Sequence, residues 1–193
     1  HPHWHNAPVA SFGPLDARLL VVGLAPGLKG ANRTGRPFTG DYAGELLFAT
    51  LIEFGFASGR YRAPREDGAW VDYGLRLVDA RVSNAVRCLP PANRPLPAER
   101  RQCRPFLVAE IAAMTRLLVV LALGRIAHDE VLAAAAPKGV RAPFGHARLH
   151  DLPGGVVLAD SYHCSRYNTN TRRLTPDMFR GVFAAVRARI GGA

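Results

Sequence analysis

The sequence predicts an α/β fold in which helices pack against a mostly parallel sheet. Short apolar runs typical of buried strands alternate along the chain with longer stretches of helical periodicity, and this alternation favours parallel strands joined by helical crossovers. The length of 193 residues suits one domain, which we take to span residues 1–193. An apolar share of 48% with 21% charged residues excludes an intrinsically disordered chain.

The first half of the chain contains one strong strand followed by a long loop and a helix. Residues 18–23 are apolar and end at Gly23, which indicates a buried strand. A glycine-rich loop follows over residues 24–40, and residues 42–56 are predicted as a helix with Asp41 as its N-cap. Two short extended segments are predicted at residues 75–79 and 82–86.

The second half is predicted to add two strands, three helices and two irregular segments. The strands are residues 117–124 and 156–160, and the helices are residues 97–114, 125–136 and 176–190. Pro176 suits the first position of its helix, where a missing N–H costs nothing. A proline-rich turn precedes this half at residues 89–95, and a polar loop runs from His163 to Thr175.

The charge balance points to a polyanionic partner. The chain carries 25 Lys and Arg against 15 Asp and Glu, a formal net charge of +10. Nearly all the basic residues are arginines, whose planar fork matches phosphate, so nucleic acid is favoured over a membrane surface or a basic surface without a partner. No apolar run approaches the length of about 20 residues that spans a bilayer.

The three cysteines cannot form a complete disulfide framework, which favours a reducing cytoplasm.

Three segments are expected to meet at one edge of the sheet, because ligands bind beyond the carboxyl ends of parallel strands. They are the loop after Gly23, the segment at Asn84 and the loop that begins at His163. The first loop is neither a P-loop nor a dinucleotide fingerprint, since its glycine spacing fits neither. Its glycines with Arg33 and Arg36 could cradle a phosphate, and Phe38 could stack on a base; an irregular surface loop with Phe38 in the core remains the alternative.

The other two segments carry groups that suit nucleobases and DNA. The Asn84 carboxamide offers a donor and an acceptor to a base edge, although a lone Asn is also a common turn or cap residue. The basic loop after His163 ends in Leu174, which we expect to be an exposed apolar tip that enters a duplex in place of an extruded base. A solvated loop would explain its polarity equally well.

Together these segments resemble the uracil-DNA glycosylase superfamily, most closely its family 5 branch. The resemblance rests on Gly-Leu-Ala-Pro-Gly at 23–27, the run from Asn32 to Asp41, Asn-Ala-Val-Arg-Cys at 84–88, and the run from His163 to Thr175, and it extends from about Trp4 to the C-terminus. It implies a three-layer α/β/α fold with a central, mostly parallel, four-stranded sheet. It also implies a monofunctional enzyme that flips uracil or another deaminated base out of double-stranded DNA and hydrolyses its N-glycosidic bond.

The resemblance also implies roles for individual residues. Asn84 matches the residue at the base edge, Phe38 the stacking aromatic, His163 the donor to the base carbonyl, and Asp41 an acidic residue that assists catalysis. The family's substrate-binding segment matches Gly23, Leu24, Ala25, Pro26 and Gly27. Its DNA-binding residues match Asn32, Arg33, Arg36, Ser165, Arg166, Asn168, Thr171, Arg172, Arg173 and Leu174.

Two positions depart from the superfamily pattern. Ala25 stands where many members have a residue that positions water, and Cys164 stands where a proline is usual. Ala25 keeps open a second hypothesis, a DNA-binding module that recognises damaged or abasic sites without cleavage. A nucleotide-binding enzyme that uses the glycine-rich loop is a third. The pocket motifs contain no lysine, which disfavours an imine-forming lyase.

Family 5 proteins resemble family 4 in holding a 4Fe-4S cluster with four cysteines. Cys88 and Cys103 match one pair, with fourteen residues and the proline-rich turn between them. The other pair would lie upstream of Trp4, so we expect an N-terminal segment that carries it; a relative without a cluster is the alternative. The resemblance further implies a monomer that is cytoplasmic and associated with the nucleoid.

Overall fold

The computed structural model describes residues 1–63 and 74–192. Its strands are β1 (Leu19–Gly23), β2 (Ala57–Ser58), β3 (Arg76–Leu77), β4 (Ala80–Asn84), β5 (Val119–Leu123), β6 (Leu149–Asp151) and β7 (Val157–Ser161). Its helices are α1 (Ala31–Thr34), α2 (Tyr42–Glu53), α3 (Pro97–Ala113), α4 (Arg125–Ala135), α5 (Arg166–Asn170) and α6 (Pro176–Gly191), with a 3-10 turn at Pro91–Asn93.

The central sheet has the strand order β4-β1-β5-β7-β6, and its first four strands are parallel. Every residue of β1, β5 and β7 is buried, as expected for strands covered on both faces. The register places Gly23 beside Asn84 and Leu123 beside Ser161. The carboxyl ends of these strands therefore meet at one edge, where the loops after them can form a shared site.

Two apolar cores, one on each face of the sheet, make the fold three-layered. On one face the core contains Phe48 of α2 and Phe183 of α6, both fully buried. On the other face it contains Leu107 of α3 and Val131 of α4. The predicted α/β/α arrangement with a mostly parallel sheet is therefore confirmed.

The sheet has five strands rather than the predicted four. The additional strand, β6, pairs antiparallel with β7 at the edge, Leu149 lying opposite Ala159. It is three residues long and largely exposed, so it carries no apolar run that could have marked it. Strand β3 lies within the extended segment predicted at residues 75–79, but its partner β2 and the short helices α1 and α5 were not predicted, for the same reason of length.

A buried carboxylate ties α3 to the strand that ends at Asn84. Glu110 accepts hydrogen bonds from Arg81 Nε at 2.6 Å and from Ser83 Oγ at 2.7 Å, and its side chain is only 3% exposed. Arg87 lies 3.6 Å from the same carboxylate. The network therefore holds the last residues of β4 in place just before Asn84.

Replacement of Glu110 by alanine should strongly destabilise the protein, because it leaves Arg81 without its partner in a largely buried place. Breaking a buried ion pair in this way typically costs about 3 to 5 kcal/mol. Urea unfolding of Glu110→Ala against wild type measures the loss. Glu53→Ala, which removes an exposed ion pair with Arg180, is the control and should change the midpoint little. Equal midpoints for all three proteins would contradict this assignment.

Candidate active site at the carboxyl edge of the sheet

Phe38, Asn84 and His163 converge on one cavity. All three line a space of about 440 Å³ at the carboxyl ends of β1, β4, β5 and β7. The rings of Phe38 and His163 lie 6.1 Å apart between centroids and are inclined by 25°. The sequence therefore brings together an aromatic face, a carboxamide and an imidazole from three distant segments, as the motifs predict.

Gly23 makes this convergence possible. A Cβ atom at this position would lie 2.4 Å from Cζ of Phe38 and 2.6 Å from Oδ1 of Asn84. Both contacts are far shorter than van der Waals distances, so only glycine lets the ring and the carboxamide approach the end of β1 together. Gly23 thus contributes to the site by the space that it leaves empty.

Phe38 is held in a strained backbone conformation. Its φ angle is +57°, in the left-handed region that is unfavourable for a residue with a Cβ atom. Gly44 lets the chain pass close to the Phe38 carbonyl, since a Cβ there would come within 1.9 Å of that oxygen. Packing of the loop on α2 therefore compensates the strain and presents the ring to the cavity.

Asp41 lines the cavity and is also the N-cap residue of α2. Its Oδ1 accepts the Ala43 N–H at 3.1 Å, which confirms the predicted N-cap. Burial raises the pKa of the Asp41 carboxyl above its ordinary value, and hydrogen bonds from the Ala43 and Gly44 amides oppose the rise only in part. A Cβ at Gly30 would lie 2.5 Å from Oδ2, so this glycine also makes room for a functional side chain.

His163 follows the buried strand β7 and faces the cavity as a neutral ring. Burial lowers the pKa of His163 to about 4, because the site disfavours the charged imidazolium. Its backbone carbonyl accepts a hydrogen bond from Asn168 Nδ2 at 2.8 Å, which ties it to α5. A neutral imidazole in this position can donate one hydrogen bond to a bound group.

The predicted substrate-binding segment contributes unevenly. Leu24, Ala25 and Gly27 line the cavity, and Gly23 lies behind Phe38 and Asn84. Pro26 is buried and is not among the lining residues.

A larger cavity of about 880 Å³ adjoins the first one and shares Asp41, Ala43, His163 and Ser165 with it. Three of the predicted DNA-binding residues line it: Arg33, Ser165 and Arg166. Lys29 adds another cation, and Tyr42 supports Arg166, whose guanidinium lies 5.5 Å from its ring centroid. Glu45 and Asp41 also line this second cavity, but its three cations outnumber them, so the two cavities together form a pocket with a basic groove beside it.

The remaining predicted DNA-binding residues lie outside this groove. Arg36 stacks on Phe12 at 4.3 Å, Arg173 stacks on Tyr162 at 4.7 Å, and Asn168 is bonded to the His163 carbonyl. Thr171 and Arg172 are exposed and directly follow the C-terminal end of α5. Asn32 is buried and donates to Asn6 Oδ1 at 2.9 Å, so its carboxamide holds the N-terminal segment rather than facing solvent.

The expectation that Leu174 is an exposed tip is wrong. Leu174 is fully buried within the core that includes Phe179, and its N–H bonds to the Asn168 carbonyl at 3.1 Å. The reason is that α5 folds the polar loop back, so that Leu174 becomes the first apolar residue of the α6 layer. The exposed apolar side chain of this loop is Tyr167, which is 72% exposed.

Two parts of the cavity wall were missed by sequence reasoning. Arg125, Ile126 and Ala127, in the first turn of α4, line the side opposite Asn84, and Asn93 lines the rim from the proline-rich turn. Gly124, which ends β5 at the same sheet edge, is the signal that could have identified the first group.

Cys88 and Cys103 supply only half of the ligand set of a 4Fe-4S cluster. Both are free thiols, Cys88 exposed and Cys103 half-buried in α3. Four ligands, usually thiolates, are needed. Within residues 1–63 and 74–192, the one group of three potential metal ligands is His128, His150 and Asp160, which does not include either cysteine. These two residues alone therefore do not fit a cluster.

No helix in the described part of the chain is long and apolar enough to cross a membrane.

Comparison with known proteins agrees with the geometry of the site. The chain is 43% identical over 190 residues to the type-5 uracil-DNA glycosylase of Thermus thermophilus, covering 98% of this chain and 83% of that protein. It is 40% identical over 192 residues to the type-5 enzyme of Mycobacterium tuberculosis, covering 98% and 69%. A type-4 uracil-DNA glycosylase of Thermotoga maritima is 37% identical over 120 residues, 62% of this chain and 51% of that protein. The model of the uracil DNA glycosylase superfamily matches residues 10–187, and the chain therefore belongs to that superfamily.

Proposed function

We propose that this chain is a DNA repair glycosylase that flips uracil out of double-stranded DNA and hydrolyses its N-glycosidic bond, leaving an abasic site. The observation that carries the proposal is the convergence of Phe38, Asn84 and His163 on one cavity beside a basic groove. Relatives of 40% to 43% identity named type-5 uracil-DNA glycosylases support it. We place the enzyme with the DNA in the cytoplasm, acting as a monomer.

Phe38 and Asn84 recognise the flipped base. The Phe38 ring stacks on the flipped base, and the Asn84 carboxamide pairs with one edge of it. Asn84 is only 8% exposed, so a base that fails to complement it leaves a nearly buried donor or acceptor unpaired. Such unpaired groups discriminate strongly between ligands of similar size.

His163 and Asp41 stabilise opposite charges during bond cleavage. Loss of the base builds negative charge on its oxygens and oxocarbenium character on the sugar. The neutral His163 ring donates to the base carbonyl as that charge develops. The ionised Asp41, at the boundary between the two cavities, faces the sugar and stabilises the positive charge.

The basic groove holds the DNA backbone. Lys29, Arg33 and Arg166 bind phosphates next to the flipped nucleotide, in keeping with the net charge of +10. Tyr167, which is exposed on the same loop as Arg166, enters the duplex where the base has left, in place of Leu174.

The shape of the pocket favours several deaminated bases. Leu24, Ala25, Ile126 and Ala127 give it an apolar lining, and Ala25 stands where many members of the superfamily have a residue that positions water. We propose that hypoxanthine and xanthine are accepted in addition to uracil. The base must first leave the stack, which costs least in a mismatched pair such as G·U.

A DNA-binding module without catalysis is the second candidate, and Ala25 is the observation that favours it. Release of free uracil from a G·U duplex separates the two hypotheses, since the module would bind the duplex and release nothing.

Asn84→Ala should slow uracil release by about 100-fold or more, because loss of one positioned polar group in a transition state typically costs that much. Single-turnover assays on a G·U duplex measure the rate. Binding to the same duplex should persist and stay sensitive to salt, since phosphate contacts dominate it. Asn170→Ala, an exposed carboxamide outside both cavities, is the matched control. An Asn84→Ala enzyme as fast as wild type would refute the assigned role.

The rate of uracil release should fall on the acid side at a pH above the ordinary range of aspartate. The reaction requires ionised Asp41, and burial raises the pKa of this carboxyl, so protonation begins at higher pH than for an exposed group. A pH profile of the single-turnover rate tests this. Asp41→Asn should be slow and lack the acid limb, and an unchanged limb in that variant would assign the titration to another group.

We propose that Cys88 and Cys103 are two of the four ligands of a 4Fe-4S cluster. In the purified protein, Cys88→Ser and Cys103→Ser should each lower the iron content and the visible absorption. Cys164→Ser is the control. This thiol is buried, and its Sγ lies 3.5 Å from the carbonyl oxygen of Ala43 in α2. Iron content that is the same in all three variants would contradict the ligand assignment.

A further inference from the structure

A buried pair, His128 and Asp160, lies behind the candidate active site. His128 is 1% exposed and Asp160 is not exposed at all. Nδ1 of His128 is 2.7 Å from Oδ1 of Asp160, and Nε2 of His128 is 2.7 Å from the Ala142 carbonyl oxygen. Both ring nitrogens therefore make short contacts to oxygen atoms.

These two contacts require one proton more than a neutral imidazole and a carboxylate hold between them. The Ala142 carbonyl can only accept, so Nε2 carries a hydrogen. A neutral ring would then point the Nδ1 lone pair at a carboxylate lone pair at hydrogen-bond distance. A second proton between Nδ1 and Oδ1 removes this repulsion, which makes the unit an imidazolium–carboxylate pair.

A proton fits the geometry better than a metal ion. His150 Nε2 lies 3.5 Å from Asp160 Oδ2, so three potential ligands are grouped here. However, two ligands of a tetrahedral zinc ion with bonds of about 2.0 to 2.1 Å stand roughly 3.3 Å apart. The separation of 2.7 Å between Nδ1 and Oδ1 is that of a charge-assisted hydrogen bond.

The pair joins three pieces of the structure. His128 belongs to α4 and Asp160 to β7, and the second carboxylate oxygen of Asp160 accepts the Gly145 N–H at 3.2 Å. The segment at 142–146 thereby packs on the pair, with the Phe144 ring edge-on to His128. Phe144 in turn supports Arg125 of the cavity wall, whose guanidinium is 5.3 Å from the ring centroid.

Both members of the pair lie next to residues that line the base cavity. Arg125, Ile126 and Ala127 directly precede His128 in α4. His163 lies three residues after Asp160 in the chain. The pair thus connects α4, whose first turn lines the cavity, to β7, the strand that His163 follows.

We propose that His128 and Asp160 are positioning residues. Their shared proton sets the spacing between His163 and the first turn of α4, which lines the same cavity as Phe38 and Asn84. The catalytic part of this inference rests on the proposed glycosylase function; the existence of the buried proton does not. Loss of the proton leaves a desolvated carboxylate facing a lone pair, and α4 then separates from β7.

The pair should hold its proton above the ordinary pKa of histidine. Burial alone lowers the pKa of His128, but the hydrogen bond and charge of Asp160 outweigh it, so the pKa is raised. The other ionisable groups at the ring are His150 of β6 and Asp129 of α4. Because the folded-state pKa is raised, the pair stabilises the protein fully below the ordinary histidine pKa, and this stability is lost as pH rises through the raised value.

Asp160→Asn offers a decisive variant. Its amide NH₂ can donate to an unprotonated Nδ1, its oxygen can accept from Gly145, and Nε2–H still donates to Ala142, so a neutral histidine satisfies every contact. This variant should release uracil within about threefold of wild type at neutral pH and should lose the alkaline fall in rate and in melting temperature. An alkaline fall that persists unchanged would overturn the shared proton.

His128→Ala removes the connection and should slow release by about 100-fold, the usual cost of a displacement of about 1 Å at a catalytic group. Duplex affinity should change less than twofold, because the basic groove is untouched. His3→Ala, on the exposed N-terminal segment, is the control. A His128→Ala protein with the wild-type rate would overturn the positioning role.

Nitrogen-15 chemical shifts of His128 in the wild-type protein test the proton without any assay of activity. At neutral pH both ring nitrogens should be protonated, and addition of a chelator should leave the His128 signals unchanged. A singly protonated ring, or His128 signals that change with the chelator, would overturn the proposal. Absence of uracil release by the wild-type protein would instead reject the glycosylase function and leave this result standing.

Discussion

Gly23 lies where the interior strand β1 ends, and the space left by its missing side chain is shared by Phe38 and Asn84. One methyl group there would collide with both, at 2.4 and 2.6 Å. The Phe38 ring and the Asn84 carboxamide can meet only because the strand between them ends in a residue without a side chain. The strain at Phe38 and the tight passage at Gly44 follow from the same requirement, since the loop must bring an aromatic ring back over the strand it has just left.

Burial sets the charges of the two acid–base groups in opposite directions. Desolvation disfavours whichever form is charged, so it keeps His163 neutral and holds Asp41 closer to protonation. A neutral donor suits a base that becomes negative, and a poorly solvated carboxylate interacts strongly with a sugar that becomes positive. The buried Glu110 holds β4, which ends at Asn84, and the His128–Asp160 pair joins α4 to β7, which precedes His163.

Much of the fold and the centre of the site could be predicted from the sequence, because apolar strands and motifs at strand ends leave strong local signals. The Asp41 N-cap and the meeting of Phe38, Asn84 and His163 are of this kind. The burial of Leu174 and Asn32 could not be predicted, because it depends on which residues, distant in the sequence, each side chain contacts after folding. The strand β6 was missed because three largely exposed residues carry no apolar periodicity. The helix α4 was predicted, but its contribution to the cavity depends on how its first turn packs beside the other strand ends.

Several arginines of this basic chain lie over aromatic rings. Arg36 lies over Phe12, Arg166 over Tyr42 and Arg173 over Tyr162. A long side chain that meets an anion from free solution must give up most of its rotamer freedom, which weakens binding. Here the ring contacts have already restricted that freedom in the unbound protein, so an approaching polyanion meets guanidinium groups whose positions are partly fixed in advance.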